Sequence, residues 1–349
     1  MTVPMAAQVP AQGGSSANRR ITRRSLAVDL GLVVACVGLG LLALTLGTMR
    51  VSLTDAARAL AGEATGPVQL VVLEWRLPRI LAALCAGAAL GMAGALFQTL
   101  LRNSLGSPDV IGFDAGAFSG AILAMLAGAA ASIVALASFA GGLLAGLLVY
   151  AAAGGGHVER NRLILIGIAV GAGFTALNDW LIFTAPLDSA LIAASWKQGA
   201  LAGVDRGRLA IGAAILLVLL PLGLACRRTM DALVLGDDKA MSLGELPGAA
   251  RLRLGLVGLS LTATATLIAG PVGFVALIAP HAAHRLAGTA GLPLSTSALF
   301  GALFLLGSDC VARTLFAPRS LPVGAVTACL GGLYFVLLLR SRLRRGAES

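Results

Sequence analysis

Charge is scarce in this sequence. Asp, Glu, Lys and Arg together supply 12 % of 349 residues, about half the ~25 % of a soluble domain. Acidic residues are rarer than basic ones, 16 against 26, and aromatic residues reach only 5 %. So little charge excludes an ordinary soluble enzyme, and its pairing with high hydrophobicity excludes disorder. The five cysteines (Cys36, Cys85, Cys226, Cys310 and Cys329) form no C-x-x-C pair, so neither a disulfide framework nor a cysteine metal site is expected. No G-x-x-x-x-G-K-[ST] loop occurs, which removes that route to ATP binding. His281 and His284 follow H-x-x-H without the glutamate of a zinc helix, so no metal is expected there either.

What the chain has instead is apolar length. Hydrophobic residues make up 58 % of it, with a mean hydropathy of +0.90. A membrane-spanning helix needs ~20 mostly apolar residues. Ten stretches qualify: 26–48, 79–101, 113–134, 135–153, 163–184, 209–226, 253–270, 272–288, 295–316 and 321–340. The eighth is short and interrupted by Pro280 and His281. The expected class is therefore all-α, a polytopic integral membrane protein. Residues 1–25 form a polar basic tail, 26–340 a transmembrane domain and 341–349 a second tail. The first apolar run is longer than the ~7–15 residues of a secretory signal core, so it reads as an uncleaved span.

Ten spans put both termini on one side. That side then carries 17 of the 26 Lys and Arg residues, which makes it cytoplasmic by the positive-inside rule. Arg76, Arg79 and Arg313 fall on the opposite side, and Asp309 lies one helical turn from Arg313, where the two can pair. The one long loop inside covers 227–252. It reads as two short amphipathic helices, 232–235 and 237–243, broken at Gly236 and Gly244. A structured segment of this kind, on a chain with no soluble domain, marks a docking site. Gly and Ala recur through the spans, as in Gly87-Ala88-Ala89-Leu90-Gly91, and small residues let helix backbones approach closely in lipid. No chain of carboxylates within the spans points to proton coupling.

Several stretches, in one order along the chain, resemble a known family. They begin with Arg76-Leu77-Pro78-Arg79 and the run Gly87 to Gln98. Arg102-Asn103-Ser104-Leu105-Gly106-Ser107-Pro108-Asp109-Val110-Ile111-Gly112 follows. Leu235-Gly236-Asp237-Asp238, Ser242-Leu243-Gly244, Gly270-Pro271-Val272-Gly273-Phe274 and Ala279-Pro280-His281 come next. Asp309-Cys310-Val311-Ala312-Arg313 and Ser320-Leu321-Pro322-Val323-Gly324 close the series. Together they are similar to the permease subunits of FecCD/BtuC-type ABC importers for ferric siderophores, haem and cobalamin. Arg162 to Ile168 and Gly331-Gly332-Leu333-Tyr334 look most like the ferric-enterobactin (catecholate) permeases. Ser104 and Ser320 depart from the common proline and acidic residue at those points.

The resemblance implies a type II ABC importer permease fold of ten helices, paired with a second permease subunit as a heterodimer or homodimer. It implies two cytoplasmic ATPase subunits that carry the ATP and Mg, with no cofactor on this chain. It also implies an extracytoplasmic siderophore-binding protein, and residence in the inner membrane with both termini cytoplasmic. Arg228, Leu235, Gly236, Asp237, Asp238, Ala240, Leu243 and Gly244 would form the ATPase-coupling loop. Arg76, Arg79 and Arg313 would dock the binding protein. Gln98, Asn103 and Asn178 are candidate polar groups of the translocation pathway, with hydrogen bonding between helices as the competing role. Two rival readings are an ion-coupled secondary carrier and a membrane-embedded enzyme using His281 and His284.

Overall fold

A chain of apolar segments in lipid must satisfy every backbone N–H and C=O within each segment, which leaves the helix as the element for short loops to join. A computed structural model describes residues 14–47, 49–63, 66–154, 160–289, 291–317 and 320–347, and helices are the regular elements throughout these. In order they are α1 (Gly14–Thr45), α2 (Leu53–Leu60), α3 (Pro67–Gln69), a π-helical turn at Leu70–Arg76, α4 (Leu77–Leu100), a 3-10 turn at Pro108–Ile111, α5 (Phe113–Leu126), α6 (Ala131–Ala152), α7 (Arg160–Thr184) and α8 (Leu187–Lys197). Then come α9 (Arg206–Ala225), α10 (Arg227–Val234), α11 (Asp237–Ser242), α12 (Pro247–Ala269), α13 (Val275–Ala287), α14 (Leu294–Thr314) and α15 (Val323–Ala347).

The ten expected spans correspond to α1, α4–α7, α9 and α12–α15. Among the described residues, seven helical stretches are long and apolar enough to cross a membrane unaided. The three exceptions are α5, α13 and α15, the last with an apolar part of Val323–Leu337. α5 has 14 residues and α13 has 13, about 20 Å each at 1.5 Å per residue, which is short of the ~30 Å apolar thickness. Other boundaries also move. The break expected at 134/135 lies at 127–130, where Gly128 takes φ +71°; an unbroken apolar run hid it. α1 starts at Gly14 rather than 26, and α10 at Arg227 rather than 232. α2 and α8 were not expected, because 8 and 11 residues fall below the length of a span. Ser52 caps α2 by accepting from the Asp55 N–H at 3.1 Å.

The π turn before α4 has a local cause. Pro78 has no N–H to give to the carbonyl four residues back, and Leu77 N–H reaches Val72 O instead. The widened turn rotates Arg76 inward, where it is 6 % exposed.

α4 is the axis of the molecule. In the Pro67–Leu100 stretch 78 % of the most apolar window is buried, against 17 % for α1 and 22 % for α7 and for α9. α14, α12 and α13 pack around it. Gly87 and Gly91 lie against the backbone of Gly301 and Ser297 on α14, and Gly94 against Ala276 on α13. A methyl group at any of the three would collide with backbone atoms, which cannot step aside. Polar side chains in the buried α12 are satisfied inside the helix: Thr262, Thr264 and Thr266 each donate to the carbonyl four residues back, a bond that makes hydroxyls tolerable in an apolar core.

Gly94→Val should therefore lower the midpoint of thermal unfolding in detergent, at a cost of about 1–3 kcal/mol or more for an overpacked core. Gly38→Val, on a face with nothing within 4 Å, should leave it unchanged. Equal midpoints for the two variants would remove the close approach as the cause.

Candidate functional site

Crossings alternate, so α10, α11 and the start of α12 share one end of the bundle with the start of α1 and the end of α13, where Arg24 Nε donates to Leu286 O at 3.2 Å. This is called the loop end below. α2, α8 and the residues around Arg76 and Asp309 lie at the far end. Three places in this frame gather the chemistry-bearing residues.

The first is the α10–α11 turn. Gly236, at φ +106°, breaks the two helices, and Gly244, at φ +84°, ends the second. Ala240 is fully buried beneath α11. Asp237 lies between two guanidinium groups. Arg251 Nη2 is 2.7 Å from its Oδ2, and Arg102 Nη2 is 2.6 Å from its Oδ1. Burial raises the Asp237 carboxyl, but the Arg251 hydrogen bond and the charges of Arg251 and Arg102 outweigh it and hold the group below the usual carboxylate range. Arg228 and Asp238 stay exposed. Around them Val234, Leu235, Met241, Leu243 and Leu246 are all more than half exposed. Five large apolar side chains exposed on one short polar loop are the kind of surface that marks a protein contact.

The second place is the far end. Arg76, Arg79 and Arg313 do not project from it as free cations. Arg76 donates to the carbonyls of Leu44 and Met49. Arg79 Nη2 lies 2.8 Å from Asp309 Oδ1, and its Nε donates to the same oxygen at 2.9 Å. Arg313 Nε lies 3.1 Å from Asp309 Oδ2, an ion pair without hydrogen-bond alignment. Asp309 is completely buried, while the two arginine side chains keep 15 % and 8 % exposure. The expected Asp309–Arg313 pair is present, and Arg79 joins it from α4. The physical reason for the inward turn is Asp309 itself, because a buried carboxylate needs cationic partners. Among the described residues, the exposed cations of this end are Arg50, Arg58, Lys197 and Arg206, the last paired with Glu74 at 2.7 Å.

The third place is a cavity of about 620 Å³ walled by α5, α7, the end of α8, the 270–274 loop and the start of α15. Residues 102–112 fold back from the loop end as a strap. The strap reaches Gly171, near the middle of α7, where Gly112 packs backbone to backbone. α5 starts from that depth, which is why it is short. α13 also starts inside, at Phe274, and the Asp109 carboxyl lies against the preceding Gly273. Asp109 and Asp114 both line the cavity. Asp109 Oδ1 is sealed from solvent and has no hydrogen-bond partner among the described residues. Lys197 lines the same cavity; it pairs with Asp179 at 3.1 Å and lies 5.7 Å from the Phe118 ring centre. The sequence reading missed this carboxylate pair. Its signal was two aspartates five residues apart in an apolar stretch, and intramembrane carboxylates are functional candidates by default.

The three expected pathway groups separate. Asn178 lines the cavity and ties α7 to α5: its Nδ2 donates to Ala115 O at 2.8 Å, and its Oδ1 accepts from Ser119 at 2.7 Å. Gln98 is buried and donates to Leu277 O at 3.1 Å. Asn103 is exposed at the loop end, where its Oδ1 accepts from Leu105 N–H. His281 Nε2 bonds Ser104 O at 2.7 Å. Among the described residues no three His, Cys, Asp or Glu side chains gather around a common point.

Comparison with known proteins gives this arrangement its family. Residues 33–341 match the FecCD transport family. The chain belongs to that family. It is 44 % identical over 326 residues to the ferric enterobactin transport system permease protein FepG of Escherichia coli, covering 93 % of this chain and 99 % of FepG. It is 36 % identical to a siderophore transport system permease protein of Bacillus subtilis, YfhA, over 89 % of this chain and 93 % of that one. A solved inward-facing metal-chelate type ABC transporter superposes with a TM-score of 0.80 at 28 % identity, covering 90 % of this chain and 99 % of its own. The FecCD chain described here is thus an all-α, multi-pass membrane protein with the fold of an ABC transporter permease.

Two outcomes follow from the ion pairs of this FecCD permease. Asp309→Ala leaves two guanidinium groups facing each other without their anion and should cost about 3–5 kcal/mol, the range for breaking a buried pair; thermal unfolding in detergent measures it. Asp237 has a lowered carboxyl pKa in the folded state, so its stabilisation is present above the unfolded value of ~3.9 and lost as pH falls through the folded one. The stability gap between the parent and Asp237→Asn should hold from neutrality to about pH 4 and close on further acidification.

Proposed function

We propose that this chain is the permease subunit of an ATP-binding-cassette importer for an iron–siderophore complex of the catecholate, enterobactin-like class. One observation carries the reading: near full-length similarity, at 44 % identity, to the ferric enterobactin permease FepG. In this reading two cytoplasmic ATPase subunits bind ATP and Mg and hydrolyse the nucleotide. The chain pairs with a second, related permease subunit, and an extracytoplasmic binding protein delivers the chelate. The loop end faces the cytoplasm of the inner membrane, and both termini lie there.

The α10–α11 turn supports the ATPase contact. Its exposed apolar residues need a partner, and its glycine-bounded short helix is small enough to enter a cleft. Closure of the ATPases would then reach the spans as rigid-body motion of packed helices. At the far end, Arg76, Arg79 and Arg313 remain the proposed docking trio. Arg79 is the member with most exposure, and the neighbouring Arg50, Arg58 and Arg206 extend the cationic surface. Such charges steer an acidic partner more than they hold it.

A second reading, an ion-coupled carrier, draws on Asp109 and Asp114 beside the starts of two short helices. Uptake in a strain lacking only this chain separates the readings. Catecholate-iron uptake should be lost and restored by the gene. Loss of cobalamin or haem uptake alone would keep the architecture and overturn the cargo, and uptake that survives ATPase removal but stops with an uncoupler would favour the carrier. Met241→Asp with Leu243→Asp should leave membrane insertion intact and cut ATPase co-purification at least tenfold, an estimate based on losing two apolar anchors of ~1.5–3 kcal/mol each. Undiminished capture would remove this face from the contact.

A further inference from the structure

Only two non-glycine residues among those described have positive φ, Arg102 at 43° and Phe274 at 69°. Such conformations are costly and persist where the surroundings over-determine them. The 102–112 strap joins the two. It starts at Arg102 and ends with Asp109 against Gly273, the residue before Phe274, and Gly112 against Gly171.

The strap has little slack. Asn103 N–H donates to Gln98 O at 3.1 Å, and Gly106 N–H to Asn103 O at 2.9 Å. Ser104 O is held by His281 at 2.7 Å. Gly106, Ser107 and Pro108 are buried, and the proline fixes its own φ. A displacement at one end of so constrained a segment is carried to the other rather than absorbed.

Arg102 grips the α10–α11 turn twice. Its Nη2 donates to Leu233 O at 3.1 Å, on the last turn of α10, and lies 2.6 Å from Asp237 Oδ1, on the first turn of α11. Among the described residues, the ion pairs of α11 converge on Asp237. Arg251 holds it to α12. Arg102 holds it to the strap.

We propose that Arg102 is the positioning residue that links the α10–α11 turn to the cavity, so that displacement of α11 moves the strap and shifts Asp109 and Gly112 against Gly273 and Gly171. The link rests on the reading of this turn as the ATPase contact. The loop-end contact and the mid-depth cavity wall are then two ends of one mechanical element. Arg251 anchors the turn to a long helix without touching the strap, so the two arginines on Asp237 have separable roles.

Two measurements on the full-length chain test this. The first is amide hydrogen exchange of residues 103–112 in the isolated permease, which needs no ATPase. Arg102→Ala should raise exchange there at least tenfold and Arg102→Lys should restore most of the protection, while Arg251→Lys leaves the strap unchanged. The second is cargo transported per ATP hydrolysed by the assembled transporter in lipid nanodiscs. Arg102→Ala should lower that ratio tenfold or more, with ATPase capture and hydrolysis rate within twofold of the parent, and Arg102→Lys should recover it. If the alanine variant does not insert, Arg102→Gln drops the charge but keeps a donor for Leu233 O, and the same outcomes apply. Unchanged strap exchange in the charge-removing variant overturns the link. Altered exchange with an unchanged transport ratio overturns its role in transport. A parent complex that captures no ATPase fails the importer reading instead, a failure that the exchange experiment keeps distinct from a failure of the link.

Discussion

Close backbone approach along α4 is the constraint on which the rest of this structure depends. In lipid, apolar surface gains little by meeting other apolar surface, so helices associate through van der Waals contact between backbones and through polar bonds. Gly87, Gly91 and Gly94 provide that contact with α14 and α13. With α4 fixed, its two ends set the chemistry. At one end the π turn carries Arg76 onto the carbonyls of Leu44 and Met49, and Arg79 reaches the buried Asp309. At the other, Arg102 leaves the helix in a left-handed conformation and sends the strap back into the protein.

The charged groups of this chain follow one logic. Few exist, and most of those near the bundle ends are engaged. Asp309 takes two arginines and Asp237 takes two more. Asp29 accepts from Ser295 and Thr296, fastening α1 to α14. Arg79–Asp309 and the Asp29 bonds join helices distant in sequence, and each partner meets a buried or half-buried ion that would otherwise be unpaired. Asp109 is the exception, with one oxygen sealed and unpartnered beside Asp114 in the cavity. Natural proteins keep such unresolved polar groups mainly where they act, and this one borders Asn178 and Lys197.

The permease fold was largely legible in the sequence because its signals are local. Apolar runs of ~20 residues report their own length, and basic residues cluster between them. The α10–α11 turn was legible because Gly236 and Gly244 punctuate a polar stretch. The placement of Arg76, Arg79 and Arg313 was not, because Arg76 turns onto the carbonyls of Leu44 and Met49 and the other two onto Asp309, which lies 230 residues from Arg79. The short reach of α5 and α13 was equally hidden. Residues 113–134 are mostly apolar, and only the meeting of Gly112 with Gly171 reveals that the chain enters at mid-depth.

By itself the sequence determined the class, the loop with its two short helices and, through ordered motifs, the family. Those properties arise from composition, periodicity and local turn chemistry, which act over a few residues. Tertiary structure alone decided which arginines are buried, that two aspartates share one cavity, that Arg102 meets Asp237 and that Asp109 lies against Gly273. Each of those facts is a contact between segments far apart in the chain. Contacts of that kind exist only after small residues have let the helices come close enough to make them.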